Sequence, residues 1–391
     1  MTLKKTIFLI ALSFCTIHAQ NQKLGIVLDA ESKKPIEFVD VYNKYENTVT
    51  NENGKYFLLS SNDSISFYKL GHEEIKTTFD KVQDTTYLSA KPFELAEVIL
   101  SNEDSLFDKV RKQIAENYPI KEFNEKFFIR SLLRYNGEIT RIQDIQGKLN
   151  RKTLLYAKDM ELKKKDYVFE VQNMRKIGLT EVTENDTNIY FKFRSLREIL
   201  AETVQVSITR KNYEIEEKYF DNGNKVRLEY TYNGENKNIN TSGYYIINLE
   251  NKAILEFYLS HKPSLDFIEK KDIKYRVTLF EKNIIFNKDS DSGKYVIKNG
   301  KLKSTVEVTN KEENFQTFFE SEDILKSYEH FSAMKVKKNV NENKDVFKLD
   351  FPYNKDFWNA QNQLLLTDEM LAFIESVGKM NEEFDVKSNL K

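Results

Sequence analysis

The sequence predicts a mostly β protein with some α: an N-terminal β-sandwich, a connector helix, then a larger α+β domain with a curved antiparallel sheet. Three observations carry that expectation. With 21 Tyr and 28 Phe against 12 Gly and 5 Pro, the composition favours pleated strands over flexible linkers. Between Gly25 and Leu100, strand signals recur about every ten residues with turn residues between them. From Val204 to Phe351, apolar runs lie between Asn-Gly pairs.

In the first stretch, Leu24, Ile26 and Leu28 alternate with Gly25, Val27 and Asp29, the period of a strand. Pro35 breaks the pairing because it donates no hydrogen bond. Phe38 to Tyr42 forms a second strand, with Val39 and Val41 on one face. Asn53-Gly54 favours a tight hairpin turn, and Tyr56 to Leu59 is the expected returning strand. Ile65 and Phe67 share a face in the next strand, and Gly71 marks another turn.

These residues carry a resemblance. Gly25-x-Val27-x-Asp29, Lys34-Pro35-Ile36 with Val39 and Val41, Thr50-Asn51-x-Asn53-Gly54-x-Tyr56, Leu70-Gly71 and Leu95-x-Glu97-Val98 together resemble the carboxypeptidase-regulatory-like domain. The resemblance implies a seven-stranded, transthyretin-like sandwich, found as an N-terminal module of exported and outer-membrane-associated bacterial proteins. It covers about one fifth of the chain and departs from the family at Asn51, where Asp is usual, and at His72, where Tyr is usual. The family module is accessory, so it implies no peptidase activity. A TonB-dependent receptor, which can carry such a module, is excluded by length. After residue 100 of 391, about 290 remain, too few for a plug and a 22-stranded barrel.

Charged residues make up 31% and nearly cancel, to a net charge of −1. A nucleic-acid partner would need a basic excess, so none is expected. Lys4 and Lys5, the apolar run Ile7 to Ile17 and the small residue Ala19 read as a signal peptide over 1–19. Phe14 before the lone Cys15 argues against a lipid anchor. The expected organisation is a signal peptide at 1–19, the sandwich at 20–100, a helix and mixed α/β segment at 101–200 and a β-rich domain with a C-terminal helix at 201–391. No transmembrane segment is expected after cleavage. The expected place is the periplasm or the outer-membrane surface.

Ser101 and Asn102 are suited to cap a connector helix over about 103–117, with Leu106, Phe107, Val110 and Ile114 on one stripe. Asn136-Gly137 predicts a hairpin, and Ser195 to Ala201 a short helix. Asn222-Gly223, Asn233-Gly234 and Asn299-Gly300 are read as turns. Tyr244 to Leu249 and Ile254 to Leu259 are apolar on nearly both faces, so they belong in the middle of a sheet. A C-terminal helix from Thr367 puts Met370, Leu371, Ile374 and Val377 on one stripe, and 379–391 reads as a fraying polar tail. Gly243 to Asn248 followed by Lys252-Ala253-Ile254 is similar to the strand pairs of lipoprotein-carrier-type curved sheets. The whole layout is similar to a group of secreted bacterial proteins of unknown function.

Catalytic patterns are missing. His72, His261 and His330 have no partner at zinc-ligand spacing, and read as surface or turn residues. Gly-x-Ser-x-Gly and a phosphate-binding glycine loop do not occur. Asp289-Ser290-Asp291-Ser292-Gly293 opens like a calcium loop, but Gly300 stands where the bidentate Glu belongs, so a polar hairpin turn is the better account. Glu216-Glu217 and Glu312-Glu313, if in strands, point to opposite sides. No cofactor, metal or catalytic residue is expected, and the chain reads as an exported binding or scaffolding protein of the cell envelope. The alternatives are an envelope hydrolase with a dispersed carboxylate site and a lipid carrier using a curved half-barrel sheet. If helices leave the sheet partly uncovered, Tyr245, Ile247, Leu255 and Phe257 line an apolar groove for a lipid or apolar peptide; a cell-envelope protein is the other partner the sequence admits. The cleavage site is tested by intact mass of the exported protein. The chain should begin at Gln20, and a lipid-bearing Cys15 would refute this reading.

Overall fold

The computed structural model describes residues 21–44, 46–60, 64–92, 94–95, 106–152, 167–201, 212–236, 238–263, 265–361, 363–379 and 386–388. The expected signal peptide, Cys15, Glu97, Val98 and the caps Ser101 and Asn102 lie outside these residues. The chain divides into two compact units, Met1–Ser89 and Ala90–Lys391.

The first unit has seven strands: β1 (Asn21–Asp29), β2 (Asp40–Tyr42), β3 (Asn47–Val49), β4 (Lys55–Ser60), β5 (Ser64–Tyr68), β6 (Ile75–Thr78) and β7 (Thr85–Leu88). They form two sheets, β4-β1-β7 and β3-β2-β5-β6, around a core that includes Val27, Val39, Val41, Leu58, Phe67 and Leu88. Two details differ from expectation. Asn53-Gly54 does not close a hairpin, since β3 pairs with β2 and β4 pairs with β1. The Asn51 side chain accepts from the Asn53 and Lys55 amides, and Gly54 takes φ +71°, so the turn carries the chain from one sheet to the other. The sandwich is also not wholly antiparallel, since β1 pairs with β7 in parallel.

In the second unit, β8 (Glu94–Leu95) is followed by α1 (Leu106–Lys112) and α2 (Ile114–Asn117). The hairpin β9 (Phe123–Tyr135) and β10 (Glu138–Arg151) follows, then β11 (Tyr167–Leu179) and the small hairpin β12 (Val182–Glu184) and β13 (Thr187–Ile189). After α3 (Leu196–Leu200) run β14 (Tyr213–Phe220), β15 (Lys225–Tyr232), β16 (Thr241–Asn248), β17 (Ile254–His261), β18 (Ile268–Lys270), β19 (Ile273–Lys288), β20 (Tyr295–Asn310) and β21 (Thr317–Tyr328). The chain closes with α4 (Lys355–Ala360), α5 (Asp368–Lys379) and β22 (Val386–Ser388). Thirteen strands make one sheet in the order β22-β11-β10-β9-β21-β20-β19-β17-β16-β15-β14-β8, with β18 paired to β19.

Local chemistry explains several elements. Asn136 and Gly137 both take positive φ, the two-residue turn that matches strand twist. Ser195 caps α3 in a reciprocal pair with Glu198. Asp289 accepts from Ser292, and Gly293 at φ +68° completes the polar β19–β20 turn.

Other expectations are corrected. The sandwich ends near Ser89 rather than 100, because Glu94 and Leu95 pair with β14 of the large sheet. Residues 101–200 are not a separate segment, since β9 pairs directly with β21. Asn299-Gly300 is no turn. It sits inside β20, where Gly300 pairs with Ile284 and Leu325 and is too enclosed to reverse the chain. Glu312 and Glu313 lie in the β20–β21 turn. The polar tail is not wholly frayed, for Val386–Ser388 pairs with β11. In α5, Leu371 is exposed, while Met370 packs on Leu132, Ile139 and Ile142 with Phe373 and Ile374 beside it.

Register fixes what each face of the large sheet carries, because side chains alternate. One face, called inner below, holds Leu228, Tyr245, Phe257, Ile284, Leu302 and Leu325. The other face holds Arg227, Tyr244, Glu256, Lys301 and Glu322. On that second face charge pairs cross the strands, such as Lys301–Glu322 and Lys303–Glu320 at 3.1 Å. Gly243 shows how tightly the inner face is filled. A Cβ there would lie 2.1 Å from the Tyr258 carbonyl oxygen and 2.5 Å from the Tyr230 hydroxyl. Gly243→Ala should therefore cost about 1–3 kcal/mol of stability, read by urea unfolding; an unchanged midpoint would mean that Tyr230 is not seated there.

Candidate functional site

Two groups of segments cover the inner face, and each is tied to it by specific bonds. At one end, Phe107 of α1 meets Tyr245 edge-on at 5.1 Å. The Tyr118 hydroxyl donates to the Ile254 carbonyl at 2.7 Å, and its ring packs on Phe286. Lys294 donates to the carbonyls of Ala115 and Glu116, which fixes the end of α2 to the β19–β20 turn.

At the other end, residues 190–200 and 345–349 lie over β9, β10, β11 and β21. Arg141 donates to the carbonyls of Leu179, Phe191 and Thr180. Gln143 donates to the Val346 carbonyl at 2.8 Å, and Lys176 to that of Phe347 at 3.1 Å. Phe191 stacks on Phe319 at 5.3 Å. Arg194 pairs with Asp323 at 2.7 Å and donates to Ser304 at 2.9 Å. Burial raises the Asp323 carboxyl above its usual range, and the Arg194 charge offsets this only in part.

Between these covers lies a strip of the inner face that is only half-buried. It contains Leu259 and His261 of β17, Val277 and Phe280 of β19 and Val306 of β20. Two cations border it. The Arg194 guanidinium is 5.8 Å and the Lys282 ammonium 5.9 Å from the Phe280 ring centre, and Lys282 is itself buried. His261 is held by Thr241 at 2.7 Å. The arrangement offers apolar contact with positive charge beside it.

The four residues expected to line a groove are closed. Tyr245, Ile247, Leu255 and Phe257 are at most 9% exposed. Tyr245 touches Phe107, Tyr230 and Phe257, so it belongs to the core under α1. Leu255 is the extra residue of a bulge, since Ile246 pairs with Glu256 and Ile247 with Ile254. The sequence signal for the strip was present in Leu259, at the end of the apolar run, but Arg194, Phe280 and Val306 had none.

Chemistry elsewhere is enclosed. Ser327 donates to Glu125 at 2.7 Å and lies 3.0 Å from His330 Nε2. Glu125 is also paired with the buried Arg151. His330 sits in the turn after β21, one of the two settings expected for it, but is largely enclosed there, and burial lowers its pKa despite the nearby Glu125. Ser327 contacts both partners, so the three do not form a nucleophile–base–acid chain. Among the described residues, no three His, Cys, Asp or Glu side chains are grouped to hold a metal ion.

No family model matches the chain, and no curated protein matches it. Among solved structures, a LolA-superfamily protein from Nitrosomonas europaea overlaps 65% of this chain and 100% of its own at 10% identity, with a TM-score of 0.24. Lipovitellin, in a structure titled for its lipid–protein interactions, overlaps 58% of this chain at 7% identity, with a TM-score of 0.25. This chain covers 27% of the lipovitellin chain. Scores of this size describe a partial overlap of strands rather than a common fold.

The face opposite the strip holds a fully buried ion pair. Asp144 lies between Arg130 at 2.8 Å and Arg175 at 2.6 Å, under Trp358, Leu364 and Met370. Burial alone would raise its carboxyl, but the two guanidinium charges outweigh burial and hold it below the usual range. Asp144→Ala leaves two buried cations unpaired and should cost about 3–5 kcal/mol at neutral pH. Since the folded pKa is depressed, this stabilisation is complete above the usual carboxyl range and is lost as pH falls through the folded value. Unfolding of variant and parent at pH 7 and pH 3 checks it, and a gap that widens on acidification would contradict the pairing.

Proposed function

We propose that this chain is an exported binding protein of the cell envelope that acts without catalysis and holds an apolar or lipid ligand on the inner face of its large sheet. One observation carries this reading. Leu259, His261, Val277, Phe280 and Val306 stay half-exposed on a face whose neighbouring residues Phe257, Ile284, Leu302 and Phe319 are buried. Covering such a strip is favourable by about 25 cal/mol for each Å² of apolar surface. Arg194 and Lys282 beside it suit a ligand with an apolar chain and an anionic head. The N-terminal unit has seven strands, and we infer that it is the accessory carboxypeptidase-regulatory-like module suggested by the sequence resemblance.

The test is uptake of a fluorescent fatty acid by delipidated mature protein, beside native mass spectrometry of protein taken from the envelope. Phe280→Glu and Leu259→Glu should each weaken uptake about 10- to 100-fold, the loss expected from one apolar contact, while the unfolding midpoint holds. A clean apo mass and no uptake by the parent protein would leave the scaffold reading in its place.

A further inference from the structure

The strand β1 is apolar on both sides. Its core side is set by Gly25, where a Cβ would lie 2.6 Å from the Tyr56 hydroxyl, and by fully buried Val27. Leu24, Ile26 and Leu28 must then point away from the sandwich core. The same register turns Phe57 and Leu59 of β4 and Tyr87 of β7 to that side. Of the nine outward positions from Gln22 to Leu28, Lys55 to Leu59 and Thr85 to Tyr87, these six are apolar, one is Lys55 and none is acidic. Leu24 is 61% and Tyr87 46% exposed. At ordinary strand spacing the nine positions cover roughly 300 Å², about two-thirds of it apolar, near the lower end of the largest patches on single proteins, which are often functional.

We propose that this outward face of the β4-β1-β7 sheet docks on an anionic lipid surface. Charge decides the occupant. Lys55 within the patch and Lys33 at its rim are cations, and none of the nine outward positions is acidic, which favours a negatively charged surface. Lys33 sits 4.4 Å over the Tyr87 ring, so a cation and an amphipathic aromatic share the rim of the patch. That pairing suits a membrane interface, where the ring enters the headgroup layer and the ammonium meets phosphate. The proposal rests on the first unit alone and is independent of the strip on the large sheet.

The experiment is cosedimentation of the mature full chain with phosphatidylethanolamine–phosphatidylglycerol vesicles and with pure phosphatidylcholine vesicles. The parent should bind the anionic vesicles and release as salt rises to about 0.5 M, where screening is strong. Leu24→Glu and Tyr87→Glu should each reduce the bound fraction about tenfold or more. Both sites are exposed, and equal unfolding midpoints verify the fold. Lys33→Glu, which leaves the apolar residues in place, should weaken binding to the anionic vesicles. Absence of parent binding, or equal binding by the variants, overturns the proposal. A parent dimer that Leu24→Glu dissociates also overturns it, in favour of a second copy.

Discussion

In a sheet of thirteen strands, the period-2 alternation of side chains is the constraint on which everything else in the large unit depends. Once pairing register is set, each residue is committed to one of two faces. The inner face collects the apolar side chains and has to be covered, and the available covers are short. Helices α1 and α2 reach Tyr245, Ile254 and Phe286. Residues 190–200 and 345–349 reach Phe319, Gln143 and Asp323. The half-buried strip follows from the distance between these two covers. The opposite face solves the same problem differently. Over β14 to β20 it is polar, with Tyr244 bonded to Glu256 and Tyr258 to Glu281, whereas over β9 to β11 the segment from Trp358 to Val377 closes it.

Buried charges fix where the covers sit. Arg130 spends one side of its guanidinium on Asp144 and the other on the carbonyls of Leu364 and Leu365. Arg141 and Lys176 serve the same end on the inner face, each donating to main-chain carbonyls of a covering segment. Apolar residues of similar volume would often match such pairs in stability. Their consequence is positional. A guanidinium held by three carbonyl oxygens accepts one path of the chain, while a leucine accepts many. This definition matters most at Arg194, which anchors the edge of the strip through Asp323 and Ser304.

Much of this was legible in the sequence. The hairpin at Asn136-Gly137, the capped helix after Ser195 and the strands around Leu24, Val41, Phe57 and Phe67 in the first unit follow from local chemistry. What was not legible depends on pairing at a distance. Asn299-Gly300 has the composition of a turn, yet β19 and β21 flank it on both sides and hold it extended. Asn53-Gly54 does turn, but to the other sheet. Leu24, Ile26 and Leu28 alternate as a core face should. The tyrosine ring that claims the Gly25 side is 31 positions away, and only that contact decides which side is inside. The stripe of α5 does not by itself say which strands it meets, here those of Leu132, Ile139 and Ile142.

The strip itself shows why a correct account of strands does not yield the site. By strict alternation Val277 and Leu279 share a side, and Phe280 opposes them. The structure inserts Thr278 as a bulge, so that Val277 pairs with Val306 and Phe280 with Ser304. One extra residue shifts every later side chain of β19 to the other face. Phe280 and Lys282 thereby join Leu259 and Val306 on the inner face, beside Arg194. Without the bulge, Phe280 would lie among the tyrosines and glutamates of the opposite face, and Lys282 with it. The apolar contact and the positive charge that define the candidate site thus come together through one departure from regular pairing, placed where the covering segments stop.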